Sequence, residues 1–258
     1  MAANWDPTQY NCFSAARTRP ARELIERIPL ATARSIADLG CGDGAVTRLL
    51  TERWPEARVV GIDSSPAMLT NARITCPCAS FIQADISEWI PNTPVDLLFS
   101  NAALQWVDDH ARLIPRLFAS VSPGGFLAVQ MPGNFDAPSH RSLTALAQSA
   151  EWRTKVGHVV RVNPIGAPAS YLNSLGETPT SFDAWETTDY LYLEGANPVL
   201  EWMKGTALRP YIDALAPEDA LQFTAELASC LAIAYPPQPS GFTLFPFRRV
   251  YFVAARQK

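Results

Sequence analysis

Short apolar runs alternate with helix-period patterns through the first half of the chain. Ser35–Leu39, Arg58–Ile62, Ala79–Ala84, Val95–Ser100 and Gly125–Met131 read as buried strands. Between them, Ala45–Arg53 places Val46, Leu49 and Leu50 on one helical face. Pro66–Ile74 begins with proline in the first turn, after Ser65, a favourable N-cap. Asp108–Val121 opens on two acids that suit the positive helix end and stops near Ser122-Pro123-Gly124-Gly125. Such alternation predicts a parallel sheet with helices on both faces, and right-handed crossovers restrict its topology.

Beyond Pro132 the pattern loosens. The stretch to Pro168 is rich in Pro, Asn, Ser and Gly and reads as a wrap around a site. Ala169–Leu175 reads as a short helix, and Pro198–Thr206 and Pro217–Ala234 as longer ones. Asp183–Leu193 alternates and carries Trp185, Thr187, Thr188, Tyr190 and Tyr192, as a strand would. Phe247–Ala254 reads as a last strand after the loop Pro236-Pro237-Gln238-Pro239. We expect one domain over 1–258, with a ligand-binding half at 30–132 and a cap and sheet completion from 1–29 and 133–258.

Composition narrows the functional classes. The 258 residues are 48% hydrophobic, enough for a large core. A net charge of −4 argues against nucleic acid and anionic membranes as partners. The five cysteines include one Cys-Pro-Cys, Cys76 to Cys78, with no second pair to complete a metal site. Reduced thiols, an N-terminus without a signal-peptide pattern and no run of roughly 20 apolar residues point to a cytoplasmic chain without a membrane anchor.

The strongest local motif is Asp38-Leu39-Gly40-Cys41-Gly42-Asp43-Gly44, between a strand and a helix. Glycines there let the backbone turn sharply and approach a ligand. Asp63 ends the second strand, 21 residues after Gly42, where an acid can hold both hydroxyls of a ribose. Gly40, Gly42 and Ala45 also satisfy a loose dinucleotide pattern, which keeps a nicotinamide-dependent oxidoreductase open. Asp38 and Asp43 weigh against it, because a pyrophosphate would meet two carboxylates; a ligand carrying an ammonium and a sulfonium finds favourable charge. Further motifs fall at strand ends: Gly61 to Met68, Ala84-Asp85-Ile86, and Ser100 to Trp106. Open α/β sheets bind ligands there.

Together these motifs resemble the class I S-adenosylmethionine methyltransferases over roughly Ile36 to Met131. The resemblance implies a seven-stranded α/β sheet in order 3-2-1-4-5-7-6 with strand 7 antiparallel, plus a helical cap. It implies S-adenosylmethionine as cofactor and S-adenosylhomocysteine as product. Asp38, Gly40, Cys41 and Gly42 would surround the methionine part, and Asp63 the ribose hydroxyls. Ser64 and Met68 would flank the adenosine. Asp85 and Ile86 would meet the adenine, and Asn101 and Ala102 the methyl end.

A closer resemblance runs over nearly the whole chain. Asn4 to Pro7, Tyr10, Phe13 to Ala15, Arg17, Arg19-Pro20, Gly61 to Met68, Leu104-Gln105-Trp106, Ala128 to Pro132, Ala207 to Pro210, Phe245-Pro246, Arg248 and Phe252 to Ala254 look like trans-aconitate 2-methyltransferases. That family esterifies one carboxylate of a small di- or tricarboxylic acid. Arginines would bind such a polyanion, guanidinium to carboxylate. Arg17, Arg19 and Arg209 match the family's segments, with Arg248 or Arg249 as one inward residue of a strand. We take Arg248 as the candidate, and Tyr10, Trp106 and Tyr190 as pocket-closing groups. Asn134 to Gly166 does not match, and near Thr187-Thr188 the family's two tyrosines and a histidine give way to Asp189, Tyr190 and Leu191. A carboxylate is ionised at neutral pH, so no general base and no metal is called for. His110 reads as a surface residue at a helix start. The alternatives are a malonyl-thioester or other small-molecule methyltransferase, the oxidoreductase, and a non-enzymatic S-adenosylmethionine-binding regulator. No motif specifies an oligomeric state.

Overall fold

The structure is a computed structural model, and residues 14–176 and 179–258 are described, with the side chains of 14–17 left aside. The elements run in order α1 (Ser14–Glu26), β1 (Ser35–Leu39), α2 (Ala45–Arg53), β2 (Arg58–Asp63), α3 (Pro66–Thr75), β3 (Ser80–Gln83) and β4 (Val95–Asn101). A 3-10 turn (Leu104–Trp106), α4 (His110–Ala119) and β5 (Val121–Pro132) follow, then α5 (Pro138–Ala147), α6 (Arg153–Val156) and α7 (Pro168–Ser174). The last elements are β6 (Ser181–Leu193), α8 (Pro198–Lys204), α9 (Arg209–Ala214), α10 (Pro217–Ala234) and β7 (Thr243–Ala255).

The seven strands form one sheet in order β3-β2-β1-β4-β5-β7-β6. β1 to β5 pair in parallel, and β7 joins β5 antiparallel, Phe126 opposite Ala255 through Pro132 opposite Arg249. The expected order and the expected direction of strand 7 are both observed. The described residues group into two compact units. A sheet unit comprises Ser14–Pro132, Pro164–Thr187 and Arg249–Lys258, and a helical unit comprises Gly133–Asn163 and Thr188–Arg248.

In the sheet unit, alternate strand residues feed opposite faces. Ile36, Leu97, Phe99, Phe126, Ala128, Tyr251 and Val253 form one cluster with Ala21, Leu24 and Ile25 of α1 and Leu49 and Leu50 of α2. On α4, Leu113, Ile114, Leu117 and Phe118 are all buried. Its start differs from the expected Asp108. Asp109 takes a left-handed conformation (φ 54°), and its Oδ1 accepts from the Arg112 amide, so the helix begins at His110. In α3 the expected cap is present: Ser65 Oγ accepts from the Met68 amide at 3.3 Å.

The helical unit centres on aromatic side chains. Phe223 meets Trp152 edge-on at 5.2 Å and stacks with Tyr211 at 6.0 Å. The wrap expected between Pro132 and Pro168 proves partly helical. Pro138 stands in the first turn of α5, and Ser139, Leu143 and Ala147 line one buried face at helical spacing. Pro138 and Pro168 there mark helix starts, not irregular chain. Among the described residues, no helix is long and apolar enough to cross a membrane.

Candidate ligand-binding site at the strand ends

The glycine loop is tied to the sheet through its backbone. The amides of Gly40 and Cys41 both donate to the Ile62 carbonyl, at 2.7 and 3.0 Å. Gly40, Gly42 and Gly44 have φ of 71°, 54° and 82°, the left-handed region that glycine enters freely. Two of the three are also packing positions. A Cβ on Gly40 would stand 2.1 Å from that of Ala103, and one on Gly44 2.9 Å from the Ala72 backbone. Gly42 is different: nothing lies within 4 Å of the place its Cβ would take. A side chain there would fill the cradle without touching protein. Asp43 Oδ1 accepts from the Ala45 amide at 3.2 Å, which occupies the first amide of α2.

Asp63 holds the loop from the next strand. Its Oδ2 accepts from the Gly42 amide at 3.0 Å and its Oδ1 from the Ser65 amide at 2.9 Å. Burial pushes its pKa up, against the pull of the Ser65, Gly42 and Ser64 amides. A carboxylate has about four acceptor positions, so these amides leave capacity for a ligand hydroxyl. Asp38 is buried beneath the loop and accepts from Thr47 Oγ1 at 2.7 Å. Burial pushes its pKa up to about 7, opposed by the Thr47 bond and reinforced by Asp63. The Cys41 side chain packs inward, its Sγ 2.9 Å from where a Gly61 Cβ would stand. Burial raises that thiol's pKa, with the charges of Asp38 and Asp63 adding to the shift. The Cys41 side chain therefore belongs to the packing beneath the loop.

Ser64 is held through its carbonyl, which accepts from Gln83 Nε2 at 3.3 Å, and Met68 is buried in α3. Asp85 is exposed and organises the next turn. Its Oδ1 accepts from the Ser87 amide at 2.8 Å, and its carbonyl accepts from the Glu88 and Trp89 amides. These bonds to Ser87 hold its carboxyl below the ordinary value. The Ile86 and Ser87 carbonyls both accept from Arg116 Nη2, which steadies the turn from α4.

At the end of β4, Asn101 Oδ1 is buried with no hydrogen-bond partner. Ala102 has φ of 54°, strained for a residue with a Cβ, and its amide donates to the Gln130 carbonyl at 3.0 Å. This left-handed residue stands between the end of β4 and the turn Leu104–Trp106. His110 is not a surface residue but buried at 7% exposure. Its Nε2 faces the Leu104 carbonyl at 2.9 Å and so carries the proton; its Nδ1 accepts from Tyr171 Oη at 3.0 Å. His110 thereby pins the turn Leu104–Trp106.

The acceptor candidates are less gathered. Tyr10 and the Arg17 side chain lie outside the described residues. In the sheet unit, Arg19 is exposed and Trp106 half-buried. In the helical unit, Tyr190 is 59% exposed, and Arg209 Nε sits 3.0 Å from Asp213 Oδ1, one turn along α9. Arg248 is half-buried and donates from Nη1 to the Gly133 carbonyl at 3.2 Å. Its neighbour Arg249 is the deeply buried one, at 3% exposure. The parity of Phe245, Phe247 and Tyr251 was the available signal, because those buried aromatics share the odd positions of β7.

The residues present fit S-adenosylmethionine on three structural grounds. They are the open cradle over Gly42, the amide-held carboxylate of Asp63, and the unpartnered Asn101 oxygen at the strand end. Asp38 adds a carboxylate for a cationic ligand.

Comparison with known proteins agrees. Residues 36–125 match a family model described as a methyltransferase domain. The chain is 44% identical over 252 residues to a trans-aconitate 2-methyltransferase of Azoarcus sp. (strain BH72), covering 98% of this chain and 99% of that one. It is 45% identical over 263 residues to one of Streptomyces avermitilis, covering 98% and 97%. Solved structures with the same fold include a putative methyltransferase of Bacillus halodurans (TM-score 0.59, 12% identity, 93% of this chain and 100% of that one). Another is a Haemonchus contortus phosphoethanolamine-type N-methyltransferase with S-adenosylhomocysteine bound (TM-score 0.54, 16% identity, 93% and 53%).

Proposed function

The chain belongs to the trans-aconitate 2-methyltransferase family, and from that premise we propose that it esterifies one carboxylate of trans-aconitate or a closely related small di- or tricarboxylic acid. It is an S-adenosylmethionine-dependent methyltransferase, with S-adenosylhomocysteine as the second product. The observation that carries the cofactor half is the Gly42 amide held on Asp63 beneath an open cradle. In this proposal the backbone of Gly40, Cys41 and Gly42, with Asp38 below it, receives the amino-acid end of the cofactor. Asp63 receives the ribose hydroxyls, and Ser64 and Met68 flank the adenosine. Asp85 and the Ile86 backbone meet the adenine, and Asn101 and Ala102 stand at the methyl end.

When bound, the cofactor supplies a methyl group on a cationic sulfur. The chain's own residues need no general base, because the acceptor carboxylate is already ionised at neutral pH. Their work is alignment, for which intramolecular models set a ceiling of about 7–11 kcal/mol. Exclusion of water helps further, because opposite charges are neutralised as the ester forms. For the acceptor, the reading is supported by the family resemblance at Arg17, Arg19 and Arg209, with Tyr10, Trp106, Tyr190 and Arg248 as further contacts. Arg209 would share its guanidinium between Asp213 and a substrate carboxylate. We further propose that the whole chain acts as one methyltransferase domain in the cytoplasm. Free thiols at Cys41, Cys76, Cys78 and Cys230 and the net charge of −4 support that location and a small anion over nucleic acid.

The experiment is a panel of di- and tricarboxylic acids assayed with labelled S-adenosylmethionine. A monomethyl ester of trans-aconitate is the expected product, and no ester from any acid sinks the carboxyl-transfer reading. In the same assay Asp63→Ala should raise the cofactor KM at least tenfold, whereas Arg209→Ala should mainly raise the acceptor KM. Equal cofactor loss in both variants contradicts the division of roles.

A further inference from the structure

The face of the sheet that packs on α1 ends in a polar row of which only Asn101 has been given a role. Side chains two apart on a strand share a face. Phe99, Ala128 and Tyr251 all enter the core cluster with α1. Asn101 follows Phe99 by two, Gln130 follows Ala128 by two, and Arg249 precedes Tyr251 by two, so all three lie on that same face. The register sets them in neighbouring strands: Asn101 opposite Gln130, Gln130 opposite Tyr251, and Arg249 opposite Pro132. Arg249 is thus the diagonal neighbour of Gln130, a spacing of about 7–8 Å that long side chains span.

Gln130 is the telling member. It is 0% exposed, and neither its Nε2 nor its Oε1 has a hydrogen-bond partner. Buried carboxamides are normally satisfied, because leaving both ends unpaired forfeits water without replacement. The Asn101 oxygen beside it is in the same condition. Arg249 brings a permanent positive charge to this row at 3% exposure. An amide donor and a guanidinium at the carboxyl end of a parallel sheet suit an anionic, planar acceptor group.

We propose that Gln130, with Arg249 beside it, is a binding residue for a carboxylate of the bound ligand. The assignment rests on the methyltransferase reading. It leaves two sources for that carboxylate, the amino-acid end of the cofactor and the acid being methylated.

Calorimetry on the full chain separates them. Gln130→Met removes both unpartnered atoms at similar length. The variant should melt at or above the wild-type temperature, yet lose about tenfold in affinity for one carboxylate ligand. If S-adenosylhomocysteine binds more weakly while methylthioadenosine, which keeps the nucleoside but has no carboxylate, binds as before, the cofactor is the source. If S-adenosylhomocysteine is unaffected and trans-aconitate binds more weakly to the S-adenosylhomocysteine-saturated protein, the source is the acceptor. Gln130→Glu, which sets a negative charge in the row, should weaken the same ligand further. Unchanged affinity for both carboxylate ligands, or an equal loss for methylthioadenosine, overturns the proposal. Wild-type protein that fails to bind S-adenosylhomocysteine overturns the methyltransferase reading beneath it, a separate result.

Discussion

The sheet unit and the helical unit treat buried polar groups differently. In the helical unit Asn134 is 3% exposed, and its side chain both donates to and accepts from the Arg248 backbone, at 3.1 and 2.8 Å. Ser139 is 0% exposed, and its amide donates to Tyr235 Oη at 3.0 Å. Charges there meet partners at the surface, as in Lys155 with Asp219 and Lys204 with Glu201. In the sheet unit, by contrast, Asp38 is buried with its pKa pushed up, and Gln130 and Asn101 keep unpartnered atoms at the strand ends. The helical unit is not wholly satisfied, since Ser149 Oγ is buried there without a hydrogen-bond partner. What sets the sheet unit apart is that its unpartnered atoms on Gln130 and Asn101 lie on neighbouring strands at the strand ends, where a ligand would relieve them, and function is expected to reside there.

The largest effect that tests this contrast lies in the helical unit. Phe223 is fully buried between Trp152 and Tyr211. Phe223→Ala should cost roughly 3–5 kcal/mol in urea unfolding. A loss below about 1 kcal/mol would mean that the aromatic cluster is not the core of that unit.

Asp38 gives the opposite kind of effect, a stability that depends on pH. Its folded pKa lies above its unfolded value of 3.8, so the folded state keeps a proton that the unfolded chain releases. Unliganded protein should therefore lose stability as pH rises from about 4 to about 7, on the order of 3–4 kcal/mol from this group alone. Asp38→Asn keeps an acceptor for Thr47 and should abolish that part of the slope. The readout is the wild-type minus variant difference in unfolding free energy across the pH range. A difference that stays flat from pH 4 to 8 rules out a buried, proton-holding Asp38.

The smallest stability effects come from the loop and divide it into frame and cradle. Gly40→Ala meets Ala103 and adopts positive φ, and should cost about 3 kcal/mol. Gly42→Ala has the same backbone strain but open space, and should cost about 1 kcal/mol while abolishing S-adenosylhomocysteine binding. Retained affinity in Gly42→Ala would show that the cradle does not face the cofactor.

Much of the sheet unit was legible in the order of residues. Ser35–Leu39 was placed to the residue, and β2, β3 and β4 to within one at each end, because buried parallel strands are short apolar runs bounded by turn residues. The helical unit is less legible: no expected helix covers α5, α6 or α9, and in the sheet unit none covers α1; α6 and α9 are too short to show a period, although Pro217–Ala234 is placed to the residue. β5 starts at Val121 and not Gly125, because the Pro-Gly-Gly segment reads as a turn while tertiary pairing of Val121 with Val95 draws it into the strand.

By itself the sequence determined the glycine loop, the acid that closes it and the strand alternation that carries both, since each depends on neighbours or on a single strand-helix-strand unit. Tertiary structure decided which polar groups have no partner. That Gln130 lies between Asn101 and Tyr251, that Arg249 and not Arg248 turns inward, and that His110 is buried against Tyr171 follow from strand adjacency and register. Those are long-range properties, fixed when a whole face is buried at once; only the inward turn of Arg249 has a local trace, in the parity of the aromatics of β7.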